Sequence, residues 1–494
     1  NTKATGKQAL AMGSDAQATG KESTAIGINA KATGVQAITM GSTSEATAEK
    51  AIAIGAEAKS RASESVAIGS GTVSNRGIAI GKNSTSGGYS SSISLGTNAT
   101  SNLGGIAIGE NATANSKSVV IGAETRNGKG GRTVIIGDGA GIGSATGNGA
   151  TGEYSIAIGR NAGKQSESSN YFFGLANTIA IGANSKVGEP NKKIAQSIAI
   201  GGATDDNKTG GTWARGDQSI AIGGDVESTG ASSIAIGGDD LDTVSSTNST
   251  YSDKKFDKNG NQISGGTKTA NLNSIFNTTT GRGAILAGGT GTDGQPYDKY
   301  SVTKSGQGAV ALGVKSTAGD IALAIGTFSE AKGTNSVAIG TGAQTPQSGA
   351  VSIGAGSTTY GLQGRQVKDA DVTLTDGTTM NYGGFAGSSG VLEGSIVSFG
   401  KAGNERQLKH IAPGEISATS TDGINGSQLY AVAKTLGEGW KADAGGNKIG
   451  SSTLTSVKPG NTVVYSAGSN LQVKQTIDAT NGKQTYEYSL NKDL

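Results

Sequence analysis

Ser65-Val66-Ala67-Ile68-Gly69 is one copy of a pentapeptide that recurs along most of the chain. Its closing glycine returns at Gly13, Gly27, Gly41, Gly55 and Gly69, fourteen residues apart each time. It then returns at Gly81, Gly96, Gly109, Gly122, Gly137, Gly159, Gly182, Gly201, Gly223, Gly237, Gly313, Gly326, Gly340 and Gly354. Self-similarity at a short fixed spacing is the signature of a repeat architecture, so the period is read before anything else. Val66 and Ile68 fall on one side of the pentapeptide and Ala67 on the other, the period-two alternation of a β-strand. Ile106 with Ile108, Ile156 with Ile158, and Val337 with Ile339 repeat that pair, and these residues are the expected core of the repeat. A quieter alternation, Ala16-Gln17-Ala18 before Gly20 and Ala30-Lys31-Ala32 before Gly34, fills the rest of the period. Each unit therefore reads strand, turn, strand, turn, one coil of a flattened parallel solenoid with glycine at its corners.

Composition agrees with a thin fold. Glycine supplies 84 of 494 residues, aromatics 4% and AVILMFWYC residues 34%, too few large side chains for several conventional domains. Five prolines without a Gly-X-Y period exclude collagen. The absence of cysteine and the single histidine exclude thiol nucleophiles, disulfides and zinc sites built from Cys or several His, so no metal or cofactor is expected. A net charge of +3 makes no electrostatic case for nucleic acid or an anionic membrane. No apolar run reaches the roughly 18 to 20 residues of a membrane helix. The first residues lack the pattern of a secretory signal, as expected of a cytosolic protein or of a piece of something longer.

Energetics bear on assembly. Burying two Ile or Val per coil is worth about 3 to 6 kcal/mol, against roughly 14 to 28 kcal/mol for ordering fourteen backbones. Coils must stack, and an alanine-lined outer face is expected to be covered by further copies of the chain in a closed cyclic homo-oligomer.

The spacing lengthens after Gly137. Residues 138–153, 160–178, 202–218 and 238–308 read as excursions from one side of the solenoid, and 355–395 as a further break with a strand at Val372 and Leu374 and a turn at Asp376-Gly377. In the longest, Tyr251, Phe256, Phe276, Tyr297 and Tyr300 are candidates for a satellite core, and Asn259-Gly260 signals a hairpin turn. Trp213 and Tyr171-Phe172-Phe173 stand out in so aromatic-poor a chain, and are the candidate ligand-binding residues or plugs where an insertion leaves its coil.

Chemistry-like motifs are weak. Gly147-Asn148-Gly149-Ala150-Thr151-Gly152 fits GxGxxG without a following helical pattern. Gly288 to Asp293 begins a calcium nonapeptide but stands in a single copy. His410 has no triad context and Asp239-Asp240 lies in a polar insertion, so no catalytic residue is assigned.

After residue 400 the pattern changes. Glu405 to Gly414 leads into Asp422-Gly423-Ile424-Asn425-Gly426-Ser427-Gln428-Leu429, then a helical stripe at Leu429, Val432 and Leu436, and a final segment from Trp440 of short alternating runs. Together these stretches resemble the trimeric autotransporter adhesins. The repeats are similar to their YadA-like head, residues 398–429 to their neck, with Asp422, Asn425, Gln428 and Leu429 in the matching motif, and the segment from Trp440 to their Trp-ring domain. The implied organisation is head repeats over 1–237 and 309–354, insertions at 238–308 and 355–397, neck over 398–437 and Trp-ring-like domain over 438–494.

The resemblance implies an all-β fold, a left-handed parallel β-roll that associates as a homotrimer, with a short helical neck and a small C-terminal β domain. It implies an exposed passenger of an outer-membrane-anchored protein, with signal and anchor outside this sequence. Such heads attach without catalysis to host matrix proteins such as collagen, fibronectin or laminin, to host cells, to other bacteria or to abiotic surfaces. The collagen-associated NSVAIGxxS pattern is met only through Asn335 to Gly340, because Ala343 replaces its last serine. A surface polysaccharide-degrading solenoid and an ice-binding solenoid are the alternatives from other classes. The first lacks a recurrent carboxylate cluster with Arg and Tyr; the second needs a threonine row where alanine was expected to face outward.

Overall fold

The computed structural model describes the whole chain except residues 89–90, 128–130, 143–151, 164–172, 190–191, 203–210, 375–376, 446–449, 451–453, 479, 481 and 493–494. It forms two compact units, residues 1–365 with 391–406, and residues 366–390 with 407–494.

The first unit is a parallel solenoid. The strands that lead into the repeat glycines stack one coil upon the next from Leu10–Met12 to Val397–Ser398, a single ladder of twenty strands. Register is strict: Val66 lies between Ile52 and Ile78, and Ala67 between Ala53 and Ala79. The quieter halves form ladders of their own, eleven strands from Lys3–Ala4 to Gly141–Ile142 and seven from Lys186–Val187 to Gln344–Thr345. At about 4.8 Å per strand the long ladder extends roughly 90 Å.

The two faces of each coil are the reverse of the sequence expectation. Ala67, Ala107, Ala157 and Ala338 are fully buried in the bore. Val66, Ile68, Ile106, Ile108, Ile156, Val337 and Ile339 lie outside and half-buried, and Ile158 is 36% exposed. The reason is width. A coil with two short sides brings its sheets so close that four small residues, such as Ala58, Ser60, Ser65 and Ala67, fill each layer. A bore packed to ordinary protein density with small side chains has no room for a β-branched residue at every layer. Val120 and Ile135 are among the few larger side chains admitted. Several bore hydroxyls pair across the coil, with Oγ–Oγ separations of 2.6 Å for Ser60–Ser65, Ser94–Ser101 and Ser228–Ser233, whereas the hydroxyls of Thr39, Ser84, Thr133 and Ser329 have no hydrogen-bond partner.

The corners explain the glycines. Gly109 has φ of +132°, and a Cβ there would stand 2.3 Å from the carbonyl oxygen of Gly122 in the next coil. Non-glycine residues take the left-handed region at other corners, seven residues apart at Gln8, Asp15, Glu22, Asn29 and Gln36.

The insertion 238–308 carries helix α1 (Asp242–Ser246) and helix α2 (Leu272–Thr280). Between them lies a hairpin made of the paired strands Asn248–Ser252 and Thr267–Asn271 and, further out, Lys255–Phe256 and Gln262–Ser264. Gly260, at φ of +87°, makes the expected turn.

In the second unit, Asp369–Thr373 pairs with Thr379–Gly383, Trp440–Ala442 with Thr455–Val457, and Leu471–Ile477 with Gln484–Leu490, all antiparallel. Helix α3 (Gly426–Glu438) contains the expected stripe.

Candidate functional site

The outward Ile and Val side chains form two parallel columns along the long ladder, one step per coil, as in Ile106–Val119–Val134–Ile156–Ile179 and Ile108–Ile121–Ile136–Ile158–Ile181. Ile78, Ile80, Ile136, Ile158, Ile236 and Ile353 each keep 36–39% of their surface exposed. The short ladders present polar columns instead, such as Gln17–Lys31–Glu45–Lys59. Apart from Thr24, which stands between Leu10 and Ile38, these columns are apolar, an area far beyond isolated surface hydrophobics.

The insertion grips a third feature, the corner two residues after each repeat glycine. In several other coils that place holds asparagine, as at Asn83, Asn98, Asn111, Asn161 and Asn184; beside the insertion it holds Asp225, Asp239, Lys315, Phe328, Gly342 and Gly356 in successive coils. Phe328 packs with Leu241, Phe276, Ile285 and Leu286, its ring 5.6 Å from that of Phe276 and 6.1 Å from that of Tyr297. The expected aromatic core is therefore corrected in membership: Phe276 and Tyr297 belong, whereas Phe256 and Tyr300 are 58% and 46% exposed. A side chain at Gly342 or Gly356 would meet Thr280 of α2 at 2.7 or 2.6 Å.

Polar contacts complete the clamp. Arg282 donates to Glu330 at 2.6 Å, to the Phe328 carbonyl at 2.9 Å and to the Tyr297 hydroxyl at 3.1 Å, while Tyr297 donates to Asp293 at 2.7 Å. Burial works against both charges, but mutual attraction raises the Arg282 pKa, and Arg282 with Lys332 lowers that of Glu330. Lys315, 3% exposed, donates to the Leu286 and Lys299 carbonyls at 2.7 and 2.6 Å, and burial lowers its pKa against the pull of Asp239 and Asp242. Asp239, between Asp225 and Lys315, is pushed up to about 6 by burial and by the Asp225 charge. Lys401 donates to the Thr280 carbonyl at 2.7 Å. Arg282, Lys315, Phe328 and Glu330 were not anticipated. Phe328, an aromatic where asparagine recurs, is the signal that could have found the seat.

Trp213 is half-buried in the strand Trp213–Ala214, between Lys186 and Glu227 of the flanking coils. Its indole N–H donates to the Gly188 carbonyl at 2.7 Å and the Arg215 guanidinium lies 3.6 Å over its ring. Tyr171 and Phe172 lie outside the described residues, as does most of the GxGxxG stretch. Phe173 opens the strand Phe173–Ala176, which pairs with Lys193–Ala195.

In the second unit Asn425 and Gln428 close a capping box on α3: Asn425 Oδ1 accepts from the Gln428 amide at 3.2 Å and Gln428 Oε1 from the Asn425 amide at 3.1 Å. Gln428 also donates to the Gly414 carbonyl at 2.6 Å, and Asp422 accepts from the Glu415 amide at 3.0 Å. Leu429 and Trp440 are 60% and 53% exposed. Among the described residues no group of three His, Cys, Asp or Glu side chains could hold a metal ion, and no helix is long and apolar enough to cross a membrane.

These features define a repeat solenoid with an apolar flank and a docked insertion. The family profile for the YadA head domain repeat (2 copies) matches residues 4–30, 18–44, 32–58, 46–72, 146–162, 214–239, 319–343 and 331–357. The chain thus carries YadA head repeats in those stretches. It is 44% identical over 71 residues to the autotransporter adhesin BtaE of Brucella suis biovar 1 (strain 1330), a stretch that is 14% of this chain and 9% of that protein. A solved C-terminal YadA-like domain from Burkholderia pseudomallei matches at 26% identity over 37% of this chain and 71% of that one, with a TM-score of 0.18.

Proposed function

We propose that the chain is the head of a bacterial surface adhesin, a homotrimer in which three solenoids turn their Ile/Val columns toward one another. The observation that carries this reading is the apolar flank, whose side chains stay partly exposed in a single copy, Ile136, Ile158 and Ile236 by 36–38%. Covering that remainder contributes about 0.5 to 1 kcal/mol per side chain, repeated at nearly every coil. Attachment is then non-catalytic and multivalent, because a threefold rod presents each outer contact three times and converts weak single contacts into avidity. Host matrix proteins, host cells, other bacteria and inert surfaces are the proposed targets. Trp213, whose ring is half-buried on the polar side, is a proposed contact.

The proposal places the protein on the cell surface as the passenger of an outer-membrane anchor. Residues 398–437 serve as neck, where the exposed stripe of α3 pairs with its copies, and 438–494 as a Trp-ring-like support.

Sedimentation tests the assembly. Wild type is expected to run as three chains per particle. Ile158→Lys with Ile181→Lys, adjacent in one column, is expected to run as a folded single chain. A monomeric wild type, or a double variant that remains trimeric, would count against the proposal. Immobilised trimer tested against matrix proteins, cells and plastic, with and without Trp213→Ala, tests attachment.

A further inference from the structure

We propose that the hairpin of residues 253–268 in the head insertion is a docking surface for a sulfated polysaccharide. The inference rests on the adhesive reading above and names one class of partner for it. Three observations meet in this hairpin.

First, the hairpin is presented from a fixed base. Its strands Asn248–Ser252 and Thr267–Asn271 run between α1 and α2, and both helices are tied to the coils through Leu241, Phe276 and Phe328 and through the buried Arg282–Glu330 pair. A ligand bound at the hairpin would not have to order a slack loop first.

Second, the local carboxylates are consumed inside the hairpin, and of the lysines only Lys268 is spent on them. Asp257 accepts from the Asn259 amide at 2.8 Å, the Asn261 amide at 2.9 Å and the Asn261 side chain at 3.1 Å, bonds that lower its pKa. Asp253 is held by Lys268 at 2.5 Å and by the Gly266 amide at 2.8 Å, and is lowered likewise. Both acids therefore stay ionised and face their own turn. Lys254, Lys255 and Lys258 are all exposed within five positions. The segment holds four lysines against two aspartates, a large share of the positive excess in a chain whose net charge is only +3.

Third, apolar surface stands among those ammonium groups: Phe256 is 58% and Ile263 64% exposed. A compact, strongly hydrated ammonium suits a sulfate oxygen, and the negative face of an aromatic ring suits the C–H face of a sugar. A polyanion that offers sulfates and pyranose faces in alternation matches both. A membrane would call for a broader apolar face, and single-stranded nucleic acid for a series of stacking aromatics; the hairpin has one Phe.

The test is surface plasmon resonance of the intact chain over immobilised heparin, fully desulfated heparin, single-stranded DNA and phosphatidylserine vesicles. The variants are Lys254→Ala/Lys255→Ala/Lys258→Ala and Phe256→Ala. All four residues lie outside the satellite core, and circular dichroism confirms that the variants fold. Wild type is expected to bind heparin, to weaken as salt rises and to ignore the desulfated polymer. The triple variant is expected to lose at least about tenfold in affinity, and Phe256→Ala to lose affinity with the salt slope unchanged. Equal binding by the triple variant, equal binding to desulfated heparin, or preference for DNA or vesicles would each overturn the inference. A chain that binds matrix proteins or cells but not heparin would sink it while sparing the adhesive reading. A chain that binds nothing in any format would sink both.

Discussion

Replacing Gly109 by alanine should break the solenoid locally, and the cost can be worked from the geometry. The backbone at Gly109 sits at φ of +132°, where a side chain is strained by about 1 to 3 kcal/mol. The added Cβ would lie 2.3 Å from the Gly122 oxygen and 2.6 Å from its carbon, both backbone atoms that cannot rotate away. Relief requires the two coils to part, which endangers the amide bonds from Gly109 to Leu95 and from Gly122 to Ile108, each 2.8 Å long and each worth about 0.5 to 1.5 kcal/mol net. A total of about 2 to 6 kcal/mol follows. Because a solenoid is stabilised by nearest-neighbour contacts, the damage should centre on coils 96–122 and fade with distance. Hydrogen exchange read by mass spectrometry is the assay: protection in those coils should fall while the coils around Gly27 and Gly340 keep theirs. Gly423→Ala, where φ is not in the left-handed region and nothing lies within 4 Å of the added carbon, should change stability by less than about 0.5 kcal/mol. Unchanged exchange in Gly109→Ala would refute the close-approach explanation of the repeat glycines.

Three further outcomes are expected. Ile321 is a β-branched residue at φ of +49° and 62% exposed, so Ile321→Asn should raise stability by about 1 kcal/mol, seen as a higher thermal midpoint; a lower one would assign that side chain a contact it lacks in the single chain. Glu330→Gln should leave the buried Arg282 charge uncompensated and cost about 3 kcal/mol, with proteolysis of residues 238–308 as the readout, and wild-type resistance would contradict the clamp. Asp239 titrates at about 6 against an ordinary value of 3.8. Its native state therefore binds the proton more tightly than the unfolded chain, so its contribution to stability is full below about pH 4, declines as pH rises towards 6, and is level above. Asp239→Asn should remove that slope from denaturant titrations run between pH 4 and 7, and a variant with the wild-type slope would place the titration elsewhere.

The repeat period, the strand alternation and the parallel stacking were legible in the sequence, because spacing of fourteen residues and a period of two are properties of the chain itself. The break at 238–308, the Asn259-Gly260 turn and the helix at Leu429 to Leu436 were legible for the same local reason. Which side of the strand faces the bore was not. Alternation states that Ile68 and Ala67 point in opposite directions, and the usual preference for burying the larger side chain selected the wrong one. Only the closeness of the two short sides of a coil, a tertiary distance, admits alanine and serine and turns isoleucine outward. The seat of the insertion was hidden likewise: Arg282 and Glu330 are 48 residues apart, and stacking alone brings Lys315, Phe328, Gly342 and Gly356 into one column for α2 to lie across.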